Sequence, residues 1–164
     1  KIPSMGPDRH AQLWSRFMTD ERYREEAKMI WAQRIKDSTP PPGPDGRPPQ
    51  MPDQAIDAVI AEVNANVEKI RARGGDVAFT RFPYAGAYTP AEDNGFPRRR
   101  FWDRLVAETK SAGVSWHNHP ALQGYHLPEW SHLAPAEATR YTKALVPILE
   151  AEIEKARQRR LASP

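Results

Sequence analysis

A strongly amphipathic helix that ends in a double glycine and runs directly into a short apolar strand constrains this chain more than any other feature. Over 53–73, Ile56, Val59, Ile60, Val63, Val67 and Ile70 fall on one helical stripe, while Glu62, Asn66, Lys69 and Arg73 lie largely off it. Gly74 and Gly75 supply a left-handed stop. The run 76–82 then reads as a buried strand that turns at Pro83. The cycle recurs: 100–112 presents Phe101, Leu105 and Val106, stops at Gly113, and hands over to a second short strand at 114–116. Helix, glycine stop, strand and loop in alternation is the pattern of an α/β layer. Two strands are few for a parallel sheet, which is normally buried on both faces and leaves main-chain groups unpaired at its edges. The expectation is therefore part of a larger α/β unit whose other strands lie on sequence outside these residues.

The flanking segments add helices and a connector. Residues 8–36 read as two helices broken near Thr19 and Asp20, with Asp8 and Asp20 accepting from first-turn amides. Leu13, Trp14 and Phe17 form one apolar cluster; Tyr23, Ala27, Ile30, Trp31 and Ile35 recur at helical spacing. The aromatic members of this set are expected to pack against the body or to anchor a partner. The run 39–49 is dominated by proline, which removes main-chain donors and stops a helix, so it reads as an extended connector. Pro135 suits the first position of a final helix reaching about Arg159, with Pro147 expected to kink or interrupt it. The chain divides into an N-terminal helical segment 1–36, a connector 37–53 and an α/β portion 54–164.

Composition narrows the function classes. The 164 residues suffice for one domain with a moderate core. There is no cysteine, which excludes disulfides and thiolate metal sites. A formal charge of +3, with basic and acidic residues interspersed, does not point to nucleic acid. No apolar run approaches the ~20 residues of a membrane-spanning helix. No signal peptide is visible, and the opening at Lys1 leaves room for an upstream segment.

The chemistry concentrates in 124–142. Glu129 precedes His132 by three residues, just before the helix that Pro135 opens. A carboxylate at that distance can fix an imidazole's tautomer and stabilise its cation, as a hydrolytic general base requires. The segment from Glu129 through Leu133 and Pro135 to Thr142 resembles the last motif block of the SGNH (GDSL-type) hydrolases. That block is an Asp-x-x-His followed by leucine, a small-residue turn and the final helix. Arg81-Phe82-Pro83 and Leu127–Leu133 further resemble uncharacterised bacterial proteins of that superfamily.

The resemblance covers roughly 77–149 and implies the end of a three-layer α/β/α fold with few parallel strands, preceded by an added N-terminal helical segment. It implies His132 as general base and Glu129 as its orienter, with glutamate standing where aspartate is usual. Arg81 and Tyr125 are the expected substrate contacts, and no cofactor or metal is expected. The serine block and the glycine and asparagine oxyanion blocks have no counterpart. Ser111, Ser115 and Ser131 carry no nucleophile-elbow pattern.

Three readings remain. The first is the C-terminal portion of an ester hydrolase or acyl transferase of the bacterial envelope or periplasm, whose serine and remaining strands come from a companion polypeptide or a missing N-terminal region. The second is a degenerate SGNH-like accessory subunit bound to a larger protein assembly. The third is a metal-binding module, which requires at least three of His117, His119, His126 and His132 to converge. The arginines at 98–100 read as a solvated turn or a salt-bridged interface.

Overall fold

A computed structural model describes residues 3–5, 11–44, 46 and 49–162. The chain opens with β1 (Pro3–Met5) and β2 (Ala11–Leu13), paired antiparallel. Extended chain thus stands at 11–13, where the sequence suggested helix; the expected cap at Asp8 lies outside the described residues. Two helices follow, α1 (Arg16–Thr19) and α2 (Glu21–Ser38). They break at Asp20, whose backbone is extended and whose carboxylate accepts the Tyr23 N–H at 3.0 Å. Tyr23 collects the aromatic cluster, with ring centroids 5.3 Å from Trp14 and 5.0 Å from Phe17. Of the expected connector 37–53, the first two residues belong to α2 and the last opens the next helix; the described residues between them carry neither helix nor strand.

The α/β portion runs α3 (Asp53–Arg71), β3 (Ala78–Arg81), α4 (Tyr88–Gly95), α5 (Trp102–Glu108), β4 (Ala112–Ser115), two 3₁₀ turns (Trp116–Asn118 and Pro120–Leu122) and α6 (Pro135–Leu161). β3 and β4 form a two-stranded parallel sheet in the register Ala78↔Ala112 to Arg81↔Ser115. The protein is thus mixed α/β and mostly helical. α4 was not foreseen; it carries Pro90, which ordinarily breaks a helix. Pro90 sits in the first helical turn, where its missing N–H has no intrahelical partner to lose. Pro147 does not interrupt α6. It and Lys143, whose carbonyl loses that bond, are both exposed, where an unmet carbonyl costs least.

Successive residues of a strand face opposite sides, which assigns the layers. A side chain at Gly113 would meet Val106 and Trp102 of α5. The next residue, Val114, is buried with Leu122, Tyr141 and Leu145, the last two from α6. α5 and α6 therefore cover opposite faces. α3 lies on the α5 side, joined to it by Arg104–Asp57 and to the preceding turn by Arg100–Asp53, both at 2.6 Å. Of the arginine run, Arg100 thus makes a salt-bridged contact to α3, while Arg98 pairs locally with Asp103 at 2.8 Å. Asp76 anchors the other end of the layer, since Arg157 and Arg160 of α6 both donate to it.

The core is centred on β4 and α6, and Leu122 at 0% exposure is its floor. Leu122→Ala is expected to cost about 2–5 kcal/mol of unfolding free energy in urea. Leu161→Ala, at a site 87% exposed, should change it by less than about 0.5 kcal/mol. Equal effects would mean that the core lies elsewhere.

Candidate functional site

The loop from His126 to Ala134 is closed on itself and tied to the turn after β3. Ala134 donates its N–H to the His126 carbonyl at 3.2 Å, and Trp130 donates to Leu127 at 3.2 Å. Ala85, beyond β3, donates to the Trp130 carbonyl at 2.9 Å. Trp130 is held at φ +76°, a conformation that is strained for a bulky side chain and costs on the order of 1–3 kcal/mol. Its indole lies over Gly86, itself at φ +56°, where a Cβ would run into the ring. Lys28 of α2 stands 5.7 Å from the same ring's centroid. Glu129 just before Trp130 and His132 just beyond it carry the chemistry.

Glu129 is 0% exposed. Its Oε1 accepts from His132 Nδ1 at 2.8 Å, and its Oε2 accepts from Ser131 Oγ at 2.7 Å and from Trp31 Nε1 at 2.8 Å. Burial pushes the carboxyl's pKa up, but the bonds from His132, Ser131 and Trp31 outweigh it and hold the group below its ordinary range. His132 responds in the other direction. The bond to Glu129 raises its pKa above 6.5 against the opposing effect of partial burial. Tyr88 stands near this charge; burial first, then the Glu129 carboxylate, raises its pKa, so the phenol stays protonated.

With Nδ1 bonded to Glu129, Nε2 is the imidazole nitrogen left to exchange a proton, and it has no hydrogen-bond partner among the described residues. The His132 side chain is half exposed and lines a cleft of about 980 Å³. Phe82, Pro83, Leu133, Thr139 and Lys143 share that cleft. A carboxylate on one nitrogen and open space at the other is the arrangement of a general base and its orienter.

Ser131 does not complete it. Its Oγ lies 2.8 Å from His132 Nδ1, and its proton goes to Glu129. The hydroxyl is therefore at the nitrogen that cannot take its proton, and it serves to brace the carboxylate. Ser115, at the end of β4, has its Oγ 3.2 Å from His117 Nδ1 but is 0% exposed, so no acyl carbonyl can reach it. His117 Nε2 in turn stands 3.5 Å from the Tyr84 hydroxyl, which donates to Asp93 at 3.2 Å. Burial and then Arg81 lower the His117 pKa, and burial pushes the Tyr84 phenol up to about 12. This second network is neutral at its centre and ties the strand ends together.

Arg81 and Tyr125, the expected substrate contacts, do not line the His132 cleft. Arg81 donates to the Tyr84 hydroxyl at 3.1 Å and to Glu92 at 3.3 Å, while Tyr125 donates to the Ala121 carbonyl at 3.0 Å. Trp31 and Ser131 are the orienting residues that sequence reasoning missed. Ser131, two residues after the carboxylate, was open to inspection; Trp31, 98 residues away, had no local signal. Among the described residues no three of His, Asp or Glu gather as metal ligands, as the metal reading requires. None of the helices described is long and apolar enough to cross a membrane.

Fold and site together define a mixed α/β protein with a buried-carboxylate–imidazole pair at the rim of a cleft. No family model, curated protein or solved structure matches the chain.

Two outcomes follow from the pair. A raised imidazole pKa stabilises the fold most fully below the ordinary value of 6.5, and that contribution is lost as pH rises through the higher folded value. A lowered carboxyl pKa stabilises above 4.5, and that contribution is lost as pH falls through the lower folded value. The stability difference between wild type and His132→Ala, measured in urea across pH, is therefore expected to be largest between 4.5 and 6.5 and to shrink above. A flat difference would mean that the two groups are not coupled. Trp31→Phe leaves the buried carboxylate one donor short and should cost about 1.5–3 kcal/mol; a neutral effect in the same unfolding assay would show that the indole bond is dispensable.

Proposed function

We propose that these residues form the closing portion of an SGNH-like ester hydrolase or acyl transferase, with His132 as general base and Glu129 as its orienter. The attacking serine comes from outside residues 1–164. The observation that carries this reading is the free Nε2 of His132 at the cleft, opposite a fully buried carboxylate at Nδ1. A serine hydroxyl placed about 3 Å from Nε2 would lose its proton to the imidazole as its oxygen bonds to the acyl carbonyl. The imidazolium, stabilised by Glu129, then returns the proton to the departing alkoxide. Water or an acceptor hydroxyl repeats the exchange on the acyl-serine and releases the acyl group.

The cleft supports an acylated polar substrate: Phe82, Pro83 and Leu133 offer apolar surface to the acyl group, and Thr139, Thr142 and Lys143 offer polar contacts to a carbohydrate-type alcohol. A bacterial envelope or periplasmic setting fits such a substrate. One observation favours a second reading. Ser131 and Ser115, the serines hydrogen-bonded to histidines, are respectively misdirected and sealed. That is also what a degenerate accessory subunit, bound to a larger assembly, would show.

The test is hydrolysis of p-nitrophenyl acetate by the protein isolated from its native source. His132→Ala should lower kcat/KM by about 10²–10⁴-fold, and Ser131→Ala should retain most of the rate. Activity requires the unprotonated imidazole, so the rate should rise with pH through a midpoint above 6.5, and Glu129→Gln should move that midpoint down. Native protein that hydrolyses nothing, or a rate indifferent to His132→Ala, leaves the accessory reading in its place.

A further inference from the structure

A second hollow, of about 520 Å³, shares no lining residue with the His132 cleft. Trp102 and Val106 of α5 form an apolar wall, Arg159 and Arg160 come from the end of α6, and Gly113 is its strand residue. Because α5 and α6 cover opposite faces of the sheet, a hollow that both line, without any residue of β3, lies past the edge of β4 that does not bond to β3. Its size falls in the range of about 300–1,000 Å³ usual for small-molecule sites. Its charge is one-sided. Arg98, Lys110, Arg159 and Arg160 line it against a single carboxylate, Asp103, which is already paired with Arg98 at 2.8 Å. Asp76, which accepts from Arg160 at 2.6 Å, is shared with Arg157 at 3.2 Å. The acids at hand therefore do not cancel the cations gathered here.

Lys110 is a cation that the fold sets in place without giving it a partner. It follows α5 at φ +49°, a left-handed conformation that ordinarily goes to glycine after a helix. Arg71 of α3 and Arg160 of α6 hold its carbonyl, donating at 3.2 and 2.9 Å, and its N–H donates to the Ala107 carbonyl at 3.1 Å. Its main chain is thus fixed by three helices. Among the described residues, its ammonium neither donates to nor pairs with any group. Charged side chains also guard open strand edges against unwanted pairing. That role asks for charge anywhere along the edge. It does not ask for lysine where glycine is easier, nor for cations from three segments beside one aromatic wall.

We infer that this hollow binds a small soluble phosphomonoester whose organic part carries a flat ring. The cations come from three places: Arg98 ahead of α5, Lys110 behind it, and Arg159 with Arg160 at the end of α6. A phosphate monoester brings three terminal oxygens and close to two negative charges at neutral pH, so it can meet all three. A carboxylate, with two oxygens and one charge, cannot. Asn118 adds to the donors: its Oδ1 accepts from Arg98, which leaves its amide N–H groups to donate into the hollow. Trp102 and Val106 offer the ring an apolar surface. The site makes no use of His132 and stands whether or not that imidazole is catalytic.

The experiment is isothermal titration calorimetry on the full chain with phenyl phosphate, inorganic phosphate and phenol, repeated on Lys110→Gly and Lys110→Arg. Phenyl phosphate is expected to bind saturably at one site, at least about tenfold more tightly than inorganic phosphate, with no measurable binding of phenol. Lys110→Gly should weaken phenyl phosphate by at least about tenfold, and Lys110→Arg by less than about threefold. Because glycine accepts the left-handed backbone, Lys110→Gly should unfold thermally no earlier than wild type, which separates lost binding from lost fold. Several results would overturn the assignment. Phenyl phosphate that does not bind saturably would leave the cations as edge guards. Inorganic phosphate binding as tightly would mean an adventitious ion only. Affinity unchanged in Lys110→Gly, or binding confined to phosphatidic-acid vesicles, would be equally fatal.

Discussion

Glu129 carries its charge entirely out of water, and much of the molecule is arranged around that fact. An ionised carboxylate in such a place is costly unless its lone pairs are taken up by donors. Three are supplied, and they come from separate parts of the chain: the indole of Trp31 on α2, the hydroxyl of Ser131, and the imidazole of His132. The first requires that α2 dock, although that helix buries none of its residues fully. The other two require the loop to turn sharply between Glu129 and Ser131, which it does at Trp130 with a positive φ. The turn is braced from outside by the Ala85 N–H and by Gly86, the residue whose lack of a side chain leaves room for the indole. The N-terminal helix, the loop after β3 and the loop before α6 thus form one cooperative support for a single charge. A helix attached this lightly is held by a polar contact in place of a large buried face.

Much of the frame was legible in the sequence because it depends on local pattern. The α3 stripe, the glycine stop and the two short strands announce themselves by periodicity and by residues that only certain backbone conformations accept. Asp20 as a cap and Pro135 at a helix start were readable for the same reason. The errors fall where local preference met something distant. The segment at 11–13 pairs antiparallel with 3–5, which its helical spacing did not reveal. Pro147 was expected to kink or interrupt α6, which continues past it at an exposed position. At the site, Glu129 and His132 were visible through their spacing. The indole that meets them was not, because no local rule connects residues 98 apart. Arg81 and Tyr125 were chosen for residue type and neighbourhood, and the fold turns both toward partners of their own.

The short sheet and the outward nitrogen of His132 meet at one cleft. An imidazole has two nitrogens on opposite sides of its ring, and a group bound at one cannot deliver a proton to the other. Here the carboxylate and Ser131 both occupy the Nδ1 side. Any hydroxyl that His132 activates must therefore approach through the cleft, whose walls include Phe82 and Pro83 at the end of β3. Loops at the carboxyl ends of parallel strands are where α/β proteins place their reacting groups. A sheet that stops at β3 has no further strand end to bring such a group there.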